Sequence, residues 1–181
     1  ASCTVTVTED GTNVTPEKVA VSEVRLNQTS LSLNKGDVAT LTATVAPQNA
    51  SDKTVTWTSS NPQAATVDAA GKVTAVAKGT AVITAQAGGK TASCVVTVKI
   101  PASKVKLNTK TVYMVKGKTL KLKATVAPKK ASSKSVVWKT SNKKIATVSA
   151  NGVVKGIKAG TVKITALAKD GSGKKKVCKV T

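Results

Sequence analysis

Histidine and phenylalanine are absent from this 181-residue chain, tyrosine occurs once, tryptophan twice and cysteine three times. Only eight carboxylates face 29 basic residues. Neutral-pH acid–base catalysis draws mainly on histidine or paired carboxylates, and protein metal sites on clustered His, Cys or carboxylate ligands. The sequence therefore gives no catalytic residue, no cofactor site and no metal site, and an enzyme within these residues is the class it disfavours most. No apolar run approaches the roughly 20 residues that span a bilayer as a helix. What the chain does have is 40% apolar residues, too many for disorder. Its abundant Val and Thr favour strands, around a core built mainly from Val, Ala, Ile and Leu.

Charge is unevenly placed. Residues 19–100 carry Arg25 and Lys35, Lys53, Lys72, Lys78, Lys90 and Lys99 against Glu23, Asp37, Asp52 and Asp68. From 101 onward there are 21 lysines, no arginine and a single acid, Asp170. A field of this sign attracts polyanions such as wall teichoic acids, acidic glycans, lipid headgroups or nucleic acid.

Self-comparison supplies the organisation. Val24-Arg25-Leu26-Asn27 recurs as Val105-Lys106-Leu107-Asn108, Ala43–Pro47 as Ala124–Pro128, Trp57 as Trp138 and Ile83-Thr84-Ala85 as Ile164-Thr165-Ala166, always 81 positions apart. Cys94 and Cys178 are 84 apart because Lys169–Gly173 lengthens a turn whose counterpart is Gly88-Gly89. Ala1–Val7 nearly repeats Ala92–Val98, so the chain is expected to open on the last strand of a preceding repeat. Each copy has one cysteine in its final strand, placed as a small buried hydrophobe rather than a redox or metal group.

Within a repeat the apolar period is two. Leu120, Leu122, Ala124 and Val126 alternate with Lys121, Lys123 and Thr125; Val162, Ile164 and Ala166 alternate with Lys163 and Thr165. Such runs arrive every 8–12 residues between turn signals, of which Asn151-Gly152 is the strongest and predicts a type I′ hairpin. About seven short strands around one inward tryptophan predict an all-β fold of two tandem Ig-like β-sandwich domains.

The ordered motifs (Lys-Gly turn, Val-Ala-Pro, Val-x-Trp-x-x-Ser-Asn, Ala-Thr-Val, Gly-Thr and Ile-Thr-Ala) resemble the bacterial Ig-like domain, group 2, across both repeats. That resemblance implies a secreted or surface-displayed bacterial or phage protein. Such domains serve as spacers, adhesin modules or accessory domains of wall- and glycan-active enzymes.

The expected layout is a residual strand at 1–7, a linker at 8–18, one domain at 19–98, a short linker at 99–102 and a strongly basic domain at 103–181. Pro101 fixes its own φ and pushes Ile100 to extended geometry. A stiff joint and an elongated arrangement, a rod of about 70 Å from strands rising ~3.3 Å per residue, are therefore expected. The neighbouring repeats of the same chain are the nearest partners.

Trp57 and Trp138, like Cys94 and Cys178, are assigned to the core. Tyr113 lies one residue outside the inward Val112 and Met114, so it should be exposed. The candidate polyanion-binding residues are Lys121, Lys123 and Lys155 on the outer face of one sheet, Lys139, Lys163 and Lys179 on that of the other, and Lys143 and Lys144 near a turn. This pattern spreads charge around the domain rather than into a groove, and it also serves solubility and edge protection. A specific nucleic-acid site is disfavoured because the basic half lacks arginine forks and stacking aromatics. The sequence thus predicts a non-enzymatic spacer or adhesive module at a bacterial cell surface, with no membrane insertion, docking to anionic glycans, teichoic acid or a host surface. The alternatives are a glycan-targeting module of a carbohydrate-active enzyme and an Ig-like decoration of a phage virion.

Overall fold

The computed structural model describes residues 17–181. The expected strand at 1–7, Cys3 and most of the expected linker at 8–18 lie outside the described residues. The chain divides between Val98 and Lys99 into two compact units.

The first unit runs β1 (Glu23–Leu26), β2 (Ser30–Asn34), β3 (Val38–Thr40), β4 (Ala43–Ala46), β5 (Thr56–Ser59), β6 (Ala65–Val67), β7 (Lys72–Ala75), β8 (Gly79–Ala87) and β9 (Lys90–Lys99). The second repeats this as β10 (Lys104–Leu107), β11 (Thr111–Val112), β12 (Thr119–Lys121), β13 (Ala124–Ala127), β14 (Val136–Thr140), β15 (Ala146–Val148), β16 (Val153–Gly156), β17 (Val162–Ala168) and β18 (Lys175–Val180). Each unit has a four-stranded sheet (β2-β9-β8-β5 or β11-β18-β17-β14), a three-stranded sheet (β3-β7-β6 or β12-β16-β15) and a two-stranded ladder (β1-β4 or β10-β13).

The seven expected runs become nine strands for one reason. The first two runs of each repeat change sheet partway along. In the second unit, β12 pairs with β16, the chain breaks at Leu122-Lys123, and β13 then pairs with β10. The inward–outward alternation survives the break: Leu122 and Val126 are buried while Lys121, Lys123 and Thr125 are exposed.

Period-two burial explains the core. In the first unit Leu41, Val73, Ile83, Cys94, Val96 and Val98 form one buried cluster, and Val21, Val24, Ala50, Ala85 and Ala87 another. Trp57 is half-buried and packs against both. Trp138 likewise joins the cluster of Leu122, Val154, Val162, Ile164, Cys178 and Val180 to that of Ala102, Val105, Val126, Ala131, Ala166 and Ala168. Each fully buried Leu, Ile or Val contributes on the order of 2 kcal/mol of transfer free energy. No polar side chain is buried among the described residues.

One turn assignment needs correction. Asn151 does not adopt positive φ, so Asn151-Gly152 is not a type I′ hairpin. Instead the Gly152 N–H donates to Ser149 O at 3.0 Å and the Ser149 N–H to Val153 O at 2.9 Å, an ordinary turn followed by a glycine bulge. Positive φ at two successive central residues occurs at Gly88-Gly89, where Ala87 pairs with Lys90 across a two-residue loop.

The residues expected as a short linker at 99–102 are held by the second unit. Ile100 N–H donates to Ser132 Oγ and Ser132 N–H to Ile100 O, both at 2.8 Å, and Ala102 is buried in that unit's core. The first unit does the same with Val19 and Ser51, at 2.9 Å each way.

Candidate polyanion interface

The second unit has its only acid engaged with the main chain. Asp170 accepts hydrogen bonds from the Ala102 N–H and, at 3.0 Å, from the Ser172 N–H. Burial pulls its pKa upward, but hydrogen bonds from the Ser172 side chain and from backbone N–H groups outweigh that and hold the carboxyl below its ordinary value. Among the described residues the one ion pair is Arg25–Glu23, in the first unit. The lysines of the second unit therefore present their charge to solvent without a carboxylate partner among the described residues.

The sheets position the candidate lysines as follows. Lys121 and Lys155 project outward from adjacent strands, with Thr119 opposite Lys155 and Val153 opposite Lys121. Lys123 lies beyond that sheet, at the break after β12. Its N–H donates to Asn108 Oδ1 at 2.8 Å and its carbonyl accepts from the Asn108 N–H at 3.1 Å. The expected trio of Lys121, Lys123 and Lys155 on one sheet is thus a pair plus a residue at the sheet switch.

On the four-stranded sheet Lys163 stands directly opposite Lys179, and Lys139 lies one row along, opposite Thr165. Like charges directly across a ladder repel. Lys143 and Lys144 are exposed in the turn after β14, where the Lys144 N–H donates to Asn142 Oδ1 at 2.9 Å.

The expectation that charge avoids any groove also needs correction. Lys104, Lys106, Lys110 and Lys176 line an open groove of about 290 Å³ together with Val105 and Leu107. None of the four was singled out from the sequence. Lys104 and Lys106 could have been, since they alternate with the inward Val105 and Leu107. Lys176 could not, because it shares strand parity with the buried Cys178 and yet is exposed.

Of the residues assigned to the core, Cys94 and Cys178 are fully buried and burial pushes both thiols up in pKa. That disfavours the thiolate a nucleophile or metal ligand requires. Among the described residues no cluster of three or more His, Cys, Asp or Glu has metal-ligand geometry. Trp57 also borders a shallow depression with Leu41, Ala43 and Val55. Tyr113 is 82% exposed and its neighbour Val115 71%.

Comparison with known proteins follows the same two-unit division. The family model for the bacterial Ig-like domain (group 2) matches residues 20–98 and 101–180. A Clostridium acetobutylicum protein described as uncharacterized is 39% identical over 85% of this chain, which spans 16% of that protein's length. Lacto-N-biosidase of Bifidobacterium bifidum is 53% identical over 52% of the chain, which spans 8% of that enzyme. Among solved structures, the N-terminal four Ig domains of Dscam1 isoform 6.44 match with a TM-score of 0.50 at 14% identity. That match covers 90% of this chain and 46% of the other, a likeness of fold alone.

Proposed function

Because the chain belongs to the bacterial Ig-like domain (group 2) family, we propose that it serves as a non-enzymatic structural and adhesive module of a surface-displayed or secreted bacterial protein. In this reading the first unit is a spacer and the second lies against anionic glycans or cell-wall polymers. The observation that carries it is the contrast between units on one backbone. The second unit has 22 lysines, counting Lys99, against Asp170, and that acid is committed to main-chain N–H groups. An exposed surface of this charge density draws polyanions by long-range attraction, which salt screens within about 8 Å at physiological ionic strength.

The test is binding of the whole chain to immobilised heparin and to purified teichoic acid across a salt series. Retention that falls steeply between about 50 and 300 mM salt, over which the screening length roughly halves, supports docking. Absent or salt-insensitive retention leaves a plain spacer.

A second reading, an accessory module that keeps a glycan-active enzyme near its substrate, is favoured by the 53% identical stretch within lacto-N-biosidase. Neutral-glycan binding separates the two, because charge cannot produce it.

A further inference from the structure

The docking reading places polyanions on the second unit without saying where. Resting on that reading, we infer that the site is the groove between β10 and the open edge of β18, and that its occupant is an extended anionic polysaccharide.

Three observations converge there. The first is the ring of side chains: Lys104, Lys106, Lys110 and Lys176 come from two strands and a connecting segment to line one groove. Val105, also in the lining, is buried, but the half-buried Leu107 adds an apolar surface suited to the carbon face of a sugar ring.

The second is an uncovered strand edge. β11 is only two residues long and covers β18 at Lys179 and Val180. The N–H groups of Lys179 and Thr181 point to that side and donate to Lys110 O and Val112 O, at 2.9 Å each. On the opposite side of β18, Ala168 N–H donates to Lys174 O at 2.8 Å, and its pairing with β17 continues from Leu167–Lys175. Strand alternation then directs the N–H groups of Lys175 and Val177 to the edge that β11 leaves bare, beside β10. These two main-chain donors lie on the strand that carries Lys176, outside the groove lining itself, and suit the oxygens of sulfate or carboxylate substituents.

The third is the internal comparison. The equivalent positions of the first unit are Glu23, Arg25, Thr29 and Ala92. There Arg25 Nε donates to Glu23 Oε1 at 2.7 Å, so the pair neutralises itself. Four cations in the second unit therefore replace a net charge of zero on the same scaffold.

The chemistry of the groove favours polysaccharide over nucleic acid. The second unit has no arginine to fork onto phosphate or guanine, and no aromatic ring lines the groove for base stacking. A groove along a strand edge also fits a linear polymer whose acidic groups recur.

The test grafts the first unit's residues into the whole chain as K104E/K110T/K176A, changes that the homologous fold already accommodates. The control K118D/K129Q/K130N also grafts first-unit residues and also lowers the net charge by four, but at exposed positions outside the groove lining. Circular dichroism melts verify that both remain folded, and calorimetry with heparin, polygalacturonate and single-stranded DNA reads the affinity.

The expected result is that the groove graft weakens heparin or polygalacturonate binding roughly tenfold or more, while the control changes it less than about twofold. A response with heparin alone shows that sulfate is required, whereas a response with polygalacturonate shows that carboxylate suffices. Equal losses in both variants would overturn the groove and leave docking by diffuse charge. No binding by the unmodified chain would overturn the docking reading itself, and binding unaffected by either graft would move the site elsewhere and overturn the groove. DNA binding as tight as heparin and equally sensitive to the groove graft would overturn the polysaccharide as occupant.

Discussion

The two units solve the same packing problem with different chemistry where the leading segment meets the final hairpin. In the first, the two-residue Gly88-Gly89 loop closes against that segment. A Cβ on Gly88 would come within 2.6 Å of Val21 Cβ, so only glycine allows the approach. In the second, the counterpart of Val21 is the smaller Ala102 and the loop is longer. Asp170 crosses the gap and accepts the Ala102 N–H. One unit joins by contact, the other by a charge-assisted hydrogen bond. The difference shows that the fold demands a closed junction there and leaves its chemistry free.

The comparison is tested hardest where the units agree. Gly71 and Gly152 both have φ of +77°, and each lies against a main-chain carbonyl, of Leu41 or Leu122, and the benzo edge of its tryptophan. A Cβ would sit 2.9 Å from Trp57 Cζ2 in one unit and 2.8 Å from Trp138 Cζ2 in the other. Gly71→Ala and Gly152→Ala are each expected to cost about 3 kcal/mol, from strained φ and overpacking together. Chemical denaturation should find the two losses within about 1 kcal/mol of each other. A mild effect in either unit would break the equivalence of the two tryptophan sites.

The junctions come next. Asp170→Asn should destabilise the second unit by on the order of 1 kcal/mol at neutral pH and leave the first unit unchanged. Residue-resolved hydrogen exchange of β9 and β18 amides reads each unit separately. The carboxyl is held below its ordinary value. Its stabilisation is therefore present above the unfolded carboxylate pKa of ~3.9 and is lost as pH falls through the folded value. The difference between the native chain and D170N should accordingly shrink in acid. A difference that grows on acidification would contradict the assigned role.

The smallest effect concerns the outer face. The first unit pairs Val82 with Val95 where the second opposes Lys163 and Lys179. Lys163→Val with Lys179→Val should stabilise the second unit by roughly 0.5–1 kcal/mol, by removing a like-charge pair and adding β-branched packing. High salt should reduce the gain, because screening already weakens the repulsion. A destabilised double variant would show that these lysines contribute packing through their stems.

Much of the fold was legible because alternation is a local property. Leu120, Leu122, Ala124 and Val126 declare an inward side without reference to any partner strand. The turns were read less well. Asn151-Gly152 has the composition of a type I′ loop, yet it accommodates a turn with a bulge, and the paired positive φ falls at Gly88-Gly89. Composition permits a turn type, whereas the separation of the strand ends selects it. The site lysines divided in the same way. Lys121 and Lys155 were placed together from parity alone, but Lys123 fell outside their sheet because the strand changes partners at Leu122.

The sequence by itself determined that there are two repeats, that both are all-β around a tryptophan, and that the second carries nearly all the charge. Those follow from composition, periodicity and spacing, which are properties of the chain read in one dimension. Only the tertiary structure decided which cations become neighbours. Parity fixes the face a side chain occupies on its own strand, but it cannot fix which strand lies alongside or how much of an edge stays bare. Because β11 begins only at Thr111, the edge of β18 before Lys179 is left open, and Lys176 meets Lys104, Lys106 and Lys110 across a groove that no repeat or period specifies.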